Sequence, residues 1–419
     1  MTAEIVIINK EAIALAADSA VTASISDGEK IFTTADKIFR LSTNKPVGVM
    51  FFNSAQFLGV PWETIINEIR KNIPPNGFNT LKEYVKCFLS FFQNGSYLFS
   101  DNEQRRYLGY QTYSNYIVIV KNIKNTINDE LKKHGPLSER SIKLIISKVI
   151  KNDLEEWRNI KENKKYTSIS LDVGKKIVNH YRDVIKKAQE LALQNIPLSR
   201  QAIKNLFEIA YYCVAWGAND DTNTGIVIAG FGEKEAFPSV SPFIFEGLYF
   251  NRLKYFKLKG MVVGQNTEGS VLAFAQREMV SRFMEGVDPD YRDMESYFMS
   301  QVAEKYSKAV VKNLKKYNTL EKKRLISEIR KNCHSIFEEY RKTMDKKIQE
   351  MFSDPITDVV AVLPKSDLAT LAESLVSITS VKRKFSTERE TVSEPIDVAV
   401  ISKTDGFVWI KKKRYYDSR

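Results

Sequence analysis

Two short apolar runs, EIVIIN at 4–9 and AIALAAD at 12–18, are separated only by the polar pair Lys10-Glu11. Each is too short for a typical helix, and neither alternates cleanly with polar residues. The pair therefore predicts a hairpin of buried strands. Strands buried on both faces need a layer above and a layer below, which points to a layered protein.

Strand-type sequence recurs in separated blocks. KIFRLS and VGVMFF predict a second pair around the turn TNKP, and SAQFLGVPWETIINEIRKN has helical apolar spacing that Pro74-Pro75 stops. Residues 71–196 then become rich in Lys, Asn, Tyr and Ile and read as helices, with HGPLSER offering a helix stop and a Ser cap. LSRQAIKNLFEIAYYCVAW reads as a helix and TGIVIAGFGEKEAFPSVSPFIFEGLYF as strand, turn, strand. MVVGQNTEGSVLAFAQREMVSRFMEG reads as a strand turning into a helix at Gly269-Ser270, with Ser270 as N-cap. Residues 288–362 are helical, LPKSDLATLAESLVSITSVKRK is a further amphipathic helix, and SEPIDVAVISKTDGFVWIKKK closes the chain with two strands. The division expected is a layered core in three parts, 1–70, 197–287 and 363–419, carrying helical insertions at 71–196 and 288–362. The fold class is α/β (α+β).

Composition narrows the function classes. The chain has 419 residues, 43% of them hydrophobic and 27% charged, which suits a globular protein rather than a disordered one. No apolar run approaches the roughly 20 residues that span a bilayer, so no membrane partner is expected. Three scattered cysteines, Cys87, Cys213 and Cys333, suit a reducing compartment, and a cytoplasmic location is the expectation. The net charge of +12 is concentrated in 71–196, where 22 basic residues face 13 acidic ones. Such a segment attracts acidic partners or simply forms a solvated helical surface.

Thr2 is the first residue with chemistry to explain. A small second residue permits removal of Met1, which would leave a hydroxyl and a free α-amine on one residue. The hydroxyl is then a nucleophile whose own amine, titrating near ~7.7–8 in model compounds, can accept its proton. A lysine to set the field and a carboxylate to orient it would complete the arrangement. Lys37 in ADKIFRLS and Asp18 in ALAADSAVT follow in that order.

Thr at position 2, LAADS sixteen residues later and the KIF strand together resemble proteasome β subunits and HslV-type peptidases, which are N-terminal nucleophile hydrolases. SAQFLGVPWETII, TGIVIAGFGEKEAFPSV, EGSVLAFAQ and RETVSEPIDVAVISKTDGFVWI are similar to later stretches of that family. The resemblance implies a four-layer αββα sandwich interrupted by the two insertions. It also implies a threonine peptidase or amidohydrolase acting on peptide or protein substrates without a cofactor or metal. In residue terms, Thr2 would be nucleophile and base, Asp18 would orient Lys37, and Ser270, Glu390 and Ser393 would take the places of the family's supporting serines and aspartate. Substrate and oxyanion contacts would fall at Val21, Thr22 and Met50. Glu390 replaces an aspartate, Val49-Met50-Phe51 replaces a glycine region, and Glu394-Pro395 replaces a Gly-Gly pair. A homo-oligomer is a further implied partner, and an ATP-dependent unfoldase would be needed only for folded substrates.

Two other readings stand beside this one: a small-molecule amidase on the same fold, and a non-catalytic scaffold that binds a partner through its basic insertion. Cys333-His334 are neighbours that diverge on a helix, and His134 and His180 lack ligand spacing. NDDTN at 219–223 reads as an Asx-rich turn. The aromatic residues of YLGYQTYSNY and EEWR have lysines nearby, but helix packing accounts for them and nucleic acid is set aside.

Overall fold

A computed structural model describes residues 2–25, 28–32, 34–93, 97–160, 167–216, 223–264, 267–312, 314, 316–387 and 392–413. The predicted opening hairpin is strands β1 (Ala3–Asn9) and β2 (Ala12–Ala17), every residue of which is buried. A two-stranded ribbon follows, β3 (Val21–Ile25) with β4 (Gly28–Phe32). Next come β5 (Ile38–Arg40) and β6 (Val47–Phe52), then the short pair β7 (Gln56–Phe57) and β8 (Val60–Pro61), which leads into helix α1 (Trp62–Arg70). A helical stretch holds α2 (Leu81–Gln93), α3 (Asp101–His134), α4 (Glu139–Arg158), α5 (Leu171–His180), α6 (Arg182–Leu193) and α7 (Arg200–Ala215). Strands β9 (Thr224–Gly230), β10 (Ser239–Tyr249), β11 (Arg252–Lys257), β12 (Met261–Val262) and β13 (Gly269–Ala275) precede α8 (Glu278–Glu285). The chain continues through α9 (Pro289–Lys312), α10 (Thr319–Ile348), a π-helical turn at Gln349–Ser353, α11 (Asp354–Val362) and α12 (Lys365–Lys384) to β14 (Asp397–Ser402) and β15 (Gly406–Lys411).

The fold is mixed α/β with antiparallel sheets. One sheet runs β13-β1-β2-β14-β15 and the other β11-β10-β9-β6-β5, with β12 beside β10. Side-chain alternation along β1 and β2 explains the layering. Val6, Ile8, Ile13 and Leu15 point one way and meet Met50, Phe52, Val227 and Ala229 of the second sheet. Ile5, Ile7 and the small Ala12, Ala14 and Ala16 point the other way and pack against Leu368, Ala372 and Val376 of α12. On the far side of the second sheet, Val49, Ile226 and Phe245 meet Trp62 and Ile66 of α1 and Phe88 and Phe92 of α2.

Packing does not follow the sequence divisions throughout. Helix α2 belongs to the first helical segment by sequence, yet it packs on the second sheet. Helix α7 falls in a core segment by sequence, yet its Leu206 and Ile209 pack with Tyr116, Ile119 and Ile150 of α3 and α4. Helix α10, 30 residues long, buries none of them and pairs with α9.

Candidate active site

Two hairpins assemble the site. Because β1 and β2 are antiparallel, with Glu4 opposite Ala17, the residue before β1 (Thr2) and the residue after β2 (Asp18) lie at the same end. Likewise Ile38 pairs with Met50, so Lys37 before β5 lies near Asn53, which follows β6. The facing of the two sheets brings these ends together. Lys37 Nζ donates to Asp18 Oδ1 at 2.6 Å and to Glu4 Oε1 at 3.0 Å. The Thr2 hydroxyl donates to Glu4 Oε2 at 3.0 Å. Thr2, Asp18 and Lys37 are each 1% exposed and Glu4 is fully buried.

Asp18 is fixed by the backbone. Its Oδ1 accepts from the Ala3 N–H at 2.9 Å, and its Oδ2 accepts from Ala20 N–H at 2.9 Å and Ser393 N–H at 3.4 Å. Ser393 precedes β14, whose pairing with β2 places it beside Asp18, while its hydroxyl is buried without a hydrogen-bond partner among the described residues. Behind this loop, Lys413 Nζ donates to Ser19 Oγ at 2.9 Å and Asp397 Oδ2 at 2.7 Å, anchoring the turn after Asp18.

Electrostatics follow from burying two carboxylates with one ammonium. Desolvation pushes the Glu4 carboxyl up to about 7, with Lys37 opposing and Asp18 adding to the rise. For Lys37, burial disfavours the charged form, but Asp18 and Glu4 together outweigh it and hold the ammonium above the ordinary lysine value. Lys37 is therefore a permanent positive charge within the cluster, and Glu4 is a group that titrates near neutrality.

Glu4 is the member that sequence reasoning missed. The signal was available: in a strand, residues 2, 4, 6 and 8 share a face, so a carboxylate at 4 must lie beside a hydroxyl at 2. Asn53 was missed as well. Its backbone N–H approaches the Thr2 Oγ1 at 3.3 Å, and it adopts φ 68°, the left-handed region that Asn tolerates better than most residues.

Two expected placements are corrected. Met50 is an interior position of β6, which is paired on both sides, opposite Ile38 in β5 and Val227 in β9. Its side chain fills the space between the sheets, so the amide facing Thr2 is that of Asn53. Ser270 does not approach Thr2 or cap a helix. It pairs with Ile8 in β13, five residues along from the Ala3–Ala275 pair, or about 17 Å at ~3.4 Å per residue. The apolar stretch VLAFA extends as an edge strand along β1, and the turn to helix α8 comes after it, where Gln276 N–H donates to Thr2 O at 3.1 Å. Val21 begins the β3–β4 ribbon and is half-buried. The side chain of Thr22, and Glu390 altogether, lie outside the described residues.

Beside Asn53, a cleft of about 480 Å³ opens at Ser54 and Gln56, walled by Phe57, Phe245 and by Arg106 and Tyr107 of α3. The first helical segment thus forms one side of the cleft next to the Thr2 hydroxyl's amide partner. Among the described residues no group of three or more His, Cys, Asp or Glu side chains is arranged to hold a metal ion. His180 packs on Phe250 and Tyr181, and His134 lies beside Glu130. Of the 219–223 stretch only Asn223 is described, and it donates to Glu246 at 3.4 Å. No helix among the described residues is long and apolar enough to cross a membrane. The chain matches no protein-family model and no curated protein.

Proposed function

We propose that this chain is an N-terminal threonine hydrolase of proteasome β type, with Thr2 attacking an amide bond of a peptide or protein substrate. The observation that carries the reading is the Thr2 hydroxyl held in one buried network with Lys37, Asp18 and Glu4. Cleavage of the Met1–Thr2 bond would place an α-amine on the residue that bears the hydroxyl, the arrangement the resemblance implies for proton acceptance. The Oγ attacks the carbonyl carbon, and charge developing on the carbonyl oxygen meets the Asn53 N–H and the field of Lys37. An ester acyl-enzyme forms and water hydrolyses it. The cleft beside Ser54 and Gln56 is the proposed substrate groove. Two sheets with helices on both outer faces are what an αββα N-terminal nucleophile hydrolase requires, and this supports the finer fold assignment. A cytoplasmic setting belongs to the same proposal, in keeping with three free cysteines.

A second reading, a non-catalytic scaffold, draws on one observation: Thr2 is only 1% exposed. Intact mass before and after incubation with a peptide epoxyketone separates the two, because that warhead closes its ring only on a free amine and the adjacent hydroxyl. Loss of Met1 and a single adduct, absent in Thr2→Ala, is the expected result. Met1 lost with no adduct overturns the peptidase, and Met1 retained with no adduct favours the scaffold.

A further inference from the structure

The buried carboxylate at position 4 has no part in the amine-as-base scheme, yet it is the group in direct contact with the Thr2 hydroxyl. We propose that Glu4 is a catalytic residue, the acceptor of the Thr2 hydroxyl proton; this rests on the reading of Thr2 as nucleophile and changes the identity of its base. The donor geometry already points that way, since Oγ1 is the donor and Glu4 Oε2 the acceptor at 3.0 Å. The other oxygen of the same carboxylate is held by Lys37 at 3.0 Å, so the group is oriented from behind. Strand β1 fixes Glu4, and Thr2, the residue that leads into β1, is held in line with it by the Gln276 N–H on its carbonyl at 3.1 Å. The titratable groups facing Glu4 are Lys37 at the start of β5 and Asp18 at the end of β2. With both carboxylates ionised this trio carries one net negative charge, which agrees with a Glu4 that titrates at about 7. An α-ammonium on Thr2 after cleavage would add a compensating positive charge and favour ionised Glu4 near neutral pH.

The step balances. As Oγ bonds to the carbonyl carbon, the carbonyl π pair moves onto its oxygen beside Asn53 N–H, and the hydroxyl proton passes to Glu4. That proton then goes to the amine nitrogen as the C–N bond breaks, leaving the ester and an ionised Glu4. Attack by water repeats the sequence, with the proton from water taken by Glu4 and returned to Thr2 Oγ as the ester C–O bond breaks.

The test is the rate of acylation by a β-lactone probe, followed by intact mass across pH 5–9 on the Met1-cleaved protein. The probe's carbonyl is attacked by Oγ alone, the ring C–O bond breaks, and the released ring oxygen takes the proton from Glu4 to become a hydroxyl, so no second reaction at the α-amine is needed. The wild-type rate is expected to rise with pH as Glu4 ionises. Glu4→Gln is isosteric and keeps an acceptor at Thr2, and it is expected to acylate about 100-fold more slowly or worse and to lose that rise. Glu4→Asp withdraws the carboxylate by one methylene and is expected to slow acylation while keeping a rising limb. If Glu4→Gln acylates at the wild-type rate with the wild-type pH profile, the proposal is overturned while Thr2 remains the nucleophile. Should Glu4→Gln fail to fold, Glu4→Asp decides, and an unchanged rate there overturns it. A Met1-cleaved wild type that takes up neither the lactone nor the epoxyketone overturns the underlying reading and this proposal together.

Discussion

Glu4 connects the chemistry of the site to the stability of the chain through its titration. Its carboxyl sits at about 7 in the folded protein against a reference of 4.5, chiefly because burial penalises the charge. Between those two pH values the folded state binds more protons at this site than the unfolded state does, so stability falls as pH rises. The contribution is fully present below pH 4.5 and is lost as pH rises through about 7. The shift corresponds to something on the order of 3 kcal/mol. Urea unfolding of a chain with its N-terminus extended, which keeps residue 1 attached, should show the wild type losing stability relative to Glu4→Gln by that order between pH 4.5 and 7.5. A constant difference across that window would show that Glu4 is not protonated in the fold. At this scale the sequence revealed Thr2, Asp18 and Lys37 because each carries a side chain whose chemistry can be named. Glu4 was hidden inside a run read for its hydrophobicity, where one charge looked like an interruption rather than a member of the site.

At the scale of elements, hairpin ends and not individual motifs aim the groups. Phe52 closes β6 and Asn53 follows it, and Phe52 pairs directly with Gly225 in β9. The Phe52 ring lies over Gly225 so closely that a Cβ there would come within 1.9 Å of it. Gly225→Ala must therefore move Phe52, and with it the Asn53 amide at the Thr2 hydroxyl. The variant should lose roughly 1–3 kcal/mol of stability, as overpacked cores do. Its lactone acylation should slow even below its melting range, and an unchanged rate would detach Asn53 from oxyanion stabilisation. Strand pairs β1–β2, β5–β6, β9–β10 and β14–β15 were legible because short apolar runs flank evident turns. Ser270 was misplaced because Gly269-Ser270 imitates a turn and cap, while the pairing that makes it strand comes from β1, 262 residues earlier by numbering (Ile8 opposite Ser270). The left-handed Asn53 at a strand end carried a turn signal, but only tertiary contact shows which amide it presents.

At the scale of the molecule, the two helical segments relate differently to the layers. The first contributes α2 to the second sheet's outer core and α3 to the cleft wall, so it belongs to both fold and site. The second sends out α9 and α10, and α10 has no buried residue. Arg292 of α9 pairs with Glu285 of α8 at 2.9 Å and with Asp345 of α10 at 3.1 Å. The first ion pair ties the hairpin to α8 and the second closes the hairpin on itself, and surface pairs of this kind contribute little to stability. The base of this hairpin is already closed: Gly286, at φ 66°, ends α8 against the ring of Phe352, and Ser353 Oγ donates to Met284 O at 2.9 Å. A few Gly and Ser residues should thus span the gap if residues 289–348 are removed. The shortened chain should fold cooperatively, melt within several degrees of the full chain and acylate at Thr2 at the same rate. Loss of folding would assign the hairpin to the core despite its exposure. Retained folding with a changed acylation rate would instead mean that the hairpin reaches the site through α11, which packs on β13 and β1. An unchanged protein would leave α9 and α10 to a role outside the chemistry of a single chain, where a face rich in exposed Tyr291, Met294, Tyr297 and Phe298 can act.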